Sequence, residues 1–352
     1  MVTTAESTVL ADRLLARPGI EPAQRSARIV LSGGLIEKIS LADPSAAAKA
    51  TGLLAMPALG NGHDHGRGVK FLSFGLNDKP LEAWVPAFYA RPQVDAYMNG
   101  LMIMCRMAQS GIASAVHCHQ MPQRPDDYEA EIEATVRAAH DIGMRLGLVV
   151  PLRDRNPLCY GNDETILSLV PAADRAEVEK RWRTRPLAPQ EQVARAERLA
   201  KSCGTELVNV QLGPIGVQWA SDRLLELVAD ASARLGLRVH MHLLESRYQR
   251  EWLDATYPQG VMKFLDEIGL LSSRLTVAHG VWLRPDEMEL LASRGVIVSL
   301  NTSSNLRLGS GIAPAREMVA KGVPVALGLD GLALDDDDDA LREMRLADVL
   351  HR

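Results

Sequence analysis

Cysteine is scarce in this chain. The 352 residues include four, Cys105, Cys118, Cys159 and Cys203, and no two of them form a C-x-x-C pair. That excludes a disulfide scaffold and leaves reduced thiols in a cytoplasm as the simplest setting. Long blocks of basic charge are also missing. The net charge of −5 is spread along the chain, which argues against nucleic acid and anionic membrane as partners. No apolar run approaches the roughly 18 residues that a membrane span needs. The first residues, Met1 to Thr8, lack the basic stretch and apolar segment of a secretory leader. Internal repeats are absent, and the one biased stretch is the acidic run Asp335–Asp339.

What the chain does contain is alternation. After the first fifty-odd residues, short apolar or β-branched runs alternate with longer amphipathic ones. Eight runs read as strands: Leu54–Gly60, Ile112–His117, Arg145–Val150, Glu206–Leu212, Arg238–Leu243, Leu275–His279, Val296–Asn301 and Pro324–Leu329. The segments between them, such as Asp222–Leu235 and Asp286–Ser293, carry helical spacing. Gly111, Gly236, Gly295 and Gly322 stop helices just before a strand. Alternating strands and helices imply a parallel sheet, and eight strands point to an α/β protein of the (β/α)8 TIM-barrel kind, assigned to residues 57–352. Residues 1–56 read differently. Thr8–Ala16 and Arg28–Leu41 look like short strands broken at Ser32-Gly33-Gly34, a hairpin signal, and belong to a small flanking β-domain.

Metal-binding side chains gather where these strands end. His63 and His65 follow the apolar run Leu53–Leu59, and His242 and Glu245 close Arg238–Glu245. His279 follows Leu-Thr-Val-Ala, and Asp330 follows Pro324–Leu329. Imidazoles plus one carboxylate are the ligand set of a catalytic divalent metal with a position open to water, and this set suits zinc and iron alike. In a barrel the C-terminal ends of the strands carry the active site. His240 is read as structural, on the other side of its strand from His242. Arg153 and Arg155 open a long loop after the third strand, where substrate contacts are expected. Arg67, Trp84, Gln211 and one of His117 and His119 are further candidates for substrate contact. His140 and His351 read as surface residues, and Asn305 as a residue that fixes the loop after the seventh strand. Asp335–Asp339 reads either as an acidic helix start or as carboxylates at the site mouth that select a cationic substrate.

The motifs, taken in order, are Met56-Pro57-Ala58-Leu59-Gly60-Asn61-Gly62-His63-Asp64-His65, Leu81-Glu82-Ala83-Trp84, His242-Leu243-Leu244-Glu245, Ala278-His279-Gly280, Ser304-Asn305-Leu306-Arg307-Leu308-Gly309-Ser310-Gly311 and Leu329-Asp330-Gly331. This set resembles the amidohydrolase superfamily, in its branch of heterocycle deaminases for guanine, 8-oxoguanine and S-adenosylhomocysteine together with the triazine hydrolases. The resemblance implies one divalent metal, zinc before iron, on His63, His65, His242 and Asp330. It implies that His279 lies beside the attacking water and that Glu245 shuttles protons. No lysine ends the fourth strand, where binuclear relatives carry a bridging one; Gln211 and Gly213 stand there. Three departures bear on substrate: Trp282 and Ile215 where relatives carry histidine, and Asp335–Asp339 in place of a Ser-Asn-Asn stretch. Relatives also continue past the eighth helix with a tail that completes the small β-domain, so the resemblance implies that this chain lacks the C-terminal part of that domain. The implied reaction is hydrolytic deamination of a small nitrogen heterocycle with release of ammonia. Displacement of an alkylamine or halide from a triazine-like ring, opening of a cyclic amide, and a truncated metal-binding protein without activity stay as alternatives. The resemblance also admits a homodimer.

Overall fold

The computed structural model describes residues 6–41, 52–87, 92–120, 127–155, 160, 163–182, 186–331 and 337–352. The chain divides into two compact units, Met1–Leu59 and Gly60–Arg352. The first holds a four-stranded sheet of β1 (Ser7–Leu14), β2 (Gln24–Ser32), β3 (Leu35–Leu41) and β4 (Leu54–Ala55), in the order β3-β2-β1-β4. β1 and β2 pair antiparallel with Val9 opposite Ile29, and β2 turns into β3 through Gly33 and Gly34, both at positive φ. Leu14, Ala27 and Ile29 form its buried core.

The run Leu54–Gly60, expected as one barrel strand, is divided. Leu54 and Ala55 pair in parallel with Arg13 and Leu14 of the small sheet, and the first barrel strand begins only at Leu59. Pro57 stands between the two and has no N–H to give to a ladder.

The barrel strands are β5 (Leu59–Asp64), β6 (Ile112–Cys118), β7 (Arg145–Leu152), β8 (Val208–Pro214), β9 (Val239–Leu243), β10 (Leu275–His279), β11 (Ile297–Leu300) and β12 (Val325–Leu327). They run in sequence order around a nearly closed, parallel barrel with helices between them. Strands in such a sheet are covered on both faces, which is why β9 is buried at all five positions. The covering helices follow local sequence rules. Ser221 caps Asp222–Leu235 by accepting from Leu224 N–H, and Gly236 ends that helix at φ 68°. Its inner face carries Leu224, Leu225, Val228 and Ala229, all buried.

The seam between β12 and β5 is closed by the residues just past β12. Asp330 N–H donates to the His63 carbonyl at 2.9 Å, and Leu329 N–H donates to Asn61 Oδ1 at 3.0 Å. This seam leaves no room for side chains: a Cβ on Gly328 would lie 2.4 Å from Asn301 Oδ1 and 2.9 Å from His63 Cβ. Among the described residues, no helix is long and apolar enough to cross a membrane.

Candidate active site

Six polar side chains converge at the C-terminal end of the barrel. His63 belongs to β5 and His65 follows it; His242 is in β9, His279 ends β10, Glu245 follows β9 and Asp330 follows β12. His63, His242, His279, Glu245 and Asp330 are all buried. His279 and Asp330 hold φ of 77° and 64°, a left-handed backbone that non-glycine residues rarely take. Such strain persists where the surrounding structure over-determines it, most often at functional sites.

Second contacts orient the imidazoles. His242 Nδ1–H donates to the Ile215 carbonyl at 2.7 Å, and His65 Nδ1–H donates to the Cys118 carbonyl at 3.3 Å. His279 Nδ1 lies 2.9 Å from Asn305 Oδ1, so Asn305, in the short helix Thr302–Arg307, holds a site imidazole. A neutral ring that donates through Nδ1 keeps a lone pair on Nε2. Those Nε2 atoms face inward. His63 Nε2 and His65 Nε2 stand 3.3 and 3.1 Å from Asp330 Oδ1, and His242 Nε2 stands 3.3 Å from His65 Nε2. His63 Nε2 and Asp330 Oδ1 are buried without a hydrogen-bond partner. Lone pairs and a carboxylate oxygen brought this close without hydrogens between them repel one another unless a cation sits among them. Neutral imidazole and carboxylate are the donors a catalytic zinc or iron takes, so the residues present fit a divalent metal.

Electrostatics agree with that fit. Burial holds His63 and His242 below the ordinary imidazole pKa, and drives His65 down to about 3. Burial works to raise the Asp330 carboxyl, but in the metal-free protein the adjoining His63 and His65 imidazoles outweigh it and hold the group well below the usual range. Ser304 Oγ–H donates to its other oxygen, Oδ2, at 2.5 Å. Glu245 goes the other way. Burial raises it from 4.5 to about 7, with Asp330 and Glu82 pushing in the same direction. Its Oε2 lies 3.6 Å from His279 Nε2, and Gln249 Oε1 pins its backbone N–H at 2.6 Å.

A cavity opens beside this cluster, with His65, His242, Glu245, His279 and Asp330 in its wall. Of the residues expected to contact substrate, Trp84, Arg67 and Arg153 line it. The Arg67 guanidinium sits 5.4 Å from the Trp84 ring centroid. Gln211 and His117 do not line it. Gln211 is in the middle of β8 and packs toward Gly147, below the strand end, where it lines a different depression with Asn209. The His117 ring stacks on His119 at 5.6 Å and fills the space over Gly66. Arg155 donates to the Val217 carbonyl at 3.0 Å and lies outside the cavity. Ile215 is in the cavity wall, whereas Trp282 turns away and donates to the Ser310 carbonyl at 2.9 Å. Asp335 and Asp336 fall outside the described residues. Asp337 pairs with Arg342, and Asp339 caps the helix Ala340–Leu350.

His240 needs a correction. Alternation along a strand puts residues i and i+2 on one face, so His240 shares the inward face of His242. Its ring lies beside His63, with Nε2 2.8 Å from His63 Nδ1. Gln120 and Trp219 were not singled out from the sequence, yet both line the cavity. Gln120 lies just past the end of β6, the same strand-end position that marks the inward-facing residues, which is the sequence signal for it.

Comparison with known proteins agrees with this geometry. Residues 54–352 match the amidohydrolase family, and the chain belongs to it. It is 32% identical over 308 residues to the 5-methylthioadenosine/S-adenosylhomocysteine deaminase of Pyrococcus furiosus, across 85% of this chain and 64% of that protein. The chain thus spans less than two thirds of that relative. Among solved structures, the atrazine chlorohydrolase of Arthrobacter aurescens TC1 in complex with zinc superposes with a TM-score of 0.75 at 21% identity, over 97% of this chain and 75% of that one. The guanine deaminase of C. acetobutylicum with bound guanine gives 0.75 at 17%, over 97% and 78%. At these identities the two structures show the fold.

Proposed function

We propose that this chain catalyses metal-dependent hydrolytic deamination of an amino-substituted nitrogen heterocycle, with zinc the preferred ion on His63, His65, His242 and Asp330. The relative named as a deaminase of adenosine derivatives favours an aminopurine ring. The scarcity of cysteine favours a cytoplasmic setting. The observation that carries the proposal is Glu245: a carboxyl buried in the cavity wall and raised to about 7, beside inward-facing imidazoles. A carboxyl poised there can give and take a proton near neutral pH.

When bound, the ion supplies Lewis acidity that lowers the pKa of water from 15.7 to about 7. Asp330 takes one proton from the attacking water as oxygen bonds to the ring carbon that carries the amine. Glu245 delivers its proton to the adjacent ring nitrogen, which keeps negative charge off the ring. His279, 4.0 Å from Asp330 Oδ2, holds the oxygen on its line of attack. The leaving amine then takes the proton on Asp330, the C–N bond breaks, and ammonia departs. Glu245 recovers a proton from the new hydroxyl, which leaves a ring carbonyl and both carboxyls as they began.

The test is ammonia release from aminopurines, aminopterins and aminotriazines by the zinc-loaded protein and by Glu245→Gln. Release by the parent, lost in the variant while one zinc per chain stays bound, is expected. Equal release by both proteins would remove Glu245 from the mechanism.

A further inference from the structure

Behind His63, on the side away from Asp330, lies a second group of donor atoms. His63 Nδ1, Cys118 Sγ and His240 offer atoms within 4.8 Å of one another, all buried. By count alone this is a metal triad, but the distances exclude that role. His63 Nδ1 and His240 Nε2 are 2.8 Å apart, whereas two nitrogens on one tetrahedral zinc, each about 2.0–2.1 Å from it, lie about 3.3 Å from each other. A separation of 2.8 Å is a hydrogen bond, with one proton between two ring nitrogens.

We infer that His240 is the positioning residue for the metal ligand His63, accepting its Nδ1 proton and so directing the His63 Nε2 lone pair into the site. The inference rests on the metal assignment made above. His63 can offer Nε2 to a cation only with its own proton on Nδ1, and the acceptor within reach at 2.8 Å is His240 Nε2. Cys118 Sγ, at 3.6 Å, is a weaker second contact. The two rings lie within 7° of parallel, with centroids 5.0 Å apart, so a single plane carries the contact. His240 Nδ1 is buried with no partner of its own. A ring that accepts through Nε2 keeps its proton on that orphaned Nδ1, and a buried donor left unsatisfied is costly. The other arrangement, with His240 donating, puts the His63 proton on Nε2, 3.3 Å from Asp330 Oδ1, where it blocks the cation. The two arrangements hold the same number of protons, so the presence of the cation selects between them. The outer partner of a ligating histidine is most often a carboxylate, a backbone carbonyl or water. An imidazole in that place adds no negative charge and leaves the bound cation a stronger Lewis acid.

The test is zinc affinity by chelator competition for the parent, His240→Gln and His240→Leu, with the thermal midpoint of each metal-free protein measured beside it. Loss of an outer-shell partner lowers metal affinity by about 10–100-fold, so His240→Leu is expected to fall in that range and His240→Gln, whose amide oxygen still accepts, to recover most of it. Parental affinity in His240→Leu overturns the inference, as does an equal fall in both variants. If neither variant folds, nitrogen-15 NMR of the zinc-loaded parent with labelled histidine decides. A downfield ring N–H shared between two imidazole nitrogens supports the inference, and its absence overturns it. A parent that binds no zinc would instead sink the metal assignment itself, an outcome distinct from all of these.

Discussion

Glu245 is set apart from an ordinary helix-start carboxylate by its surroundings. Its neighbour Ser246 takes the capping role for the helix Arg247–Thr256, accepting from Gln249 N–H at 3.1 Å, which leaves the Glu245 side chain for the cavity. General acid–base groups contribute about 10²–10⁴-fold, so Glu245→Gln is expected to lower kcat by that range with zinc content unchanged, as read by ammonia assay and metal analysis. Asp330→Asn should act one step earlier, weakening zinc itself, because an amide oxygen lacks the charge that offsets the cation; chelator competition measures this. The inward-facing residues were legible in the sequence as ligand-type side chains at strand ends, and so was Glu245, three positions past His242. His240 shares the face of His242 because the strand period is two, so the expectation of opposite faces does not hold. Gln211 was judged by its nearness to a strand end, but β8 continues to Pro214 and leaves it in mid-strand.

At the scale of elements, the second to eighth barrel strands were legible because each is a short apolar or β-branched run, and four of them follow a glycine helix stop. β5 was legible only in part. Its residues, Leu-Gly-Asn-Gly-His-Asp, are chosen by the seam with β12 and by the inward-facing polar cluster rather than by apolar burial, so the strongest apolar signal lies just upstream, in residues that join the other sheet. The seam makes its own prediction. Gly328→Ala places a methyl group 2.4 Å from Asn301 Oδ1, 2.8 Å from Ser299 Oγ and 2.9 Å from His63 Cβ. Overpacking of this kind costs about 1–3 kcal/mol. Because His63 is one of the three groups displaced, the variant should lose zinc affinity as well as thermal stability. A drop in melting temperature with parental zinc affinity would show that the seam does not carry the site.

For the molecule as a whole, the site is a cost to folding that the proposed cation would relieve. In the metal-free protein five buried imidazoles, His63, His65, His117, His240 and His242, all titrate below 6.5. The unfolded chain therefore binds more protons than the folded one, and their contribution is greatest above pH 6.5 and lost as pH falls. Asp64 and Glu245 oppose this. Raised to about 7 from 3.8 and 4.5, they remove stability as pH rises through that window. Five groups outnumber two, so the metal-free protein should lose stability from pH 7.5 to pH 5.5, by up to about 1.4 kcal/mol per pH unit for each net proton. Denaturant midpoints at the two pH values check this, and a higher midpoint at pH 5.5 would contradict it. Zinc at 100 times its Kd should add about 2.7 kcal/mol, because only the folded state assembles the ligands.

The most direct test of the central claim is a product assay on the zinc-loaded and chelator-stripped protein, with an aminopurine nucleoside and a chlorinated aminotriazine as substrates. Ammonia from the nucleoside, with no chloride from the triazine and neither product after stripping, is the predicted result. Chloride release without ammonia, or ammonia release that survives removal of the metal, would contradict a metal-dependent deaminase.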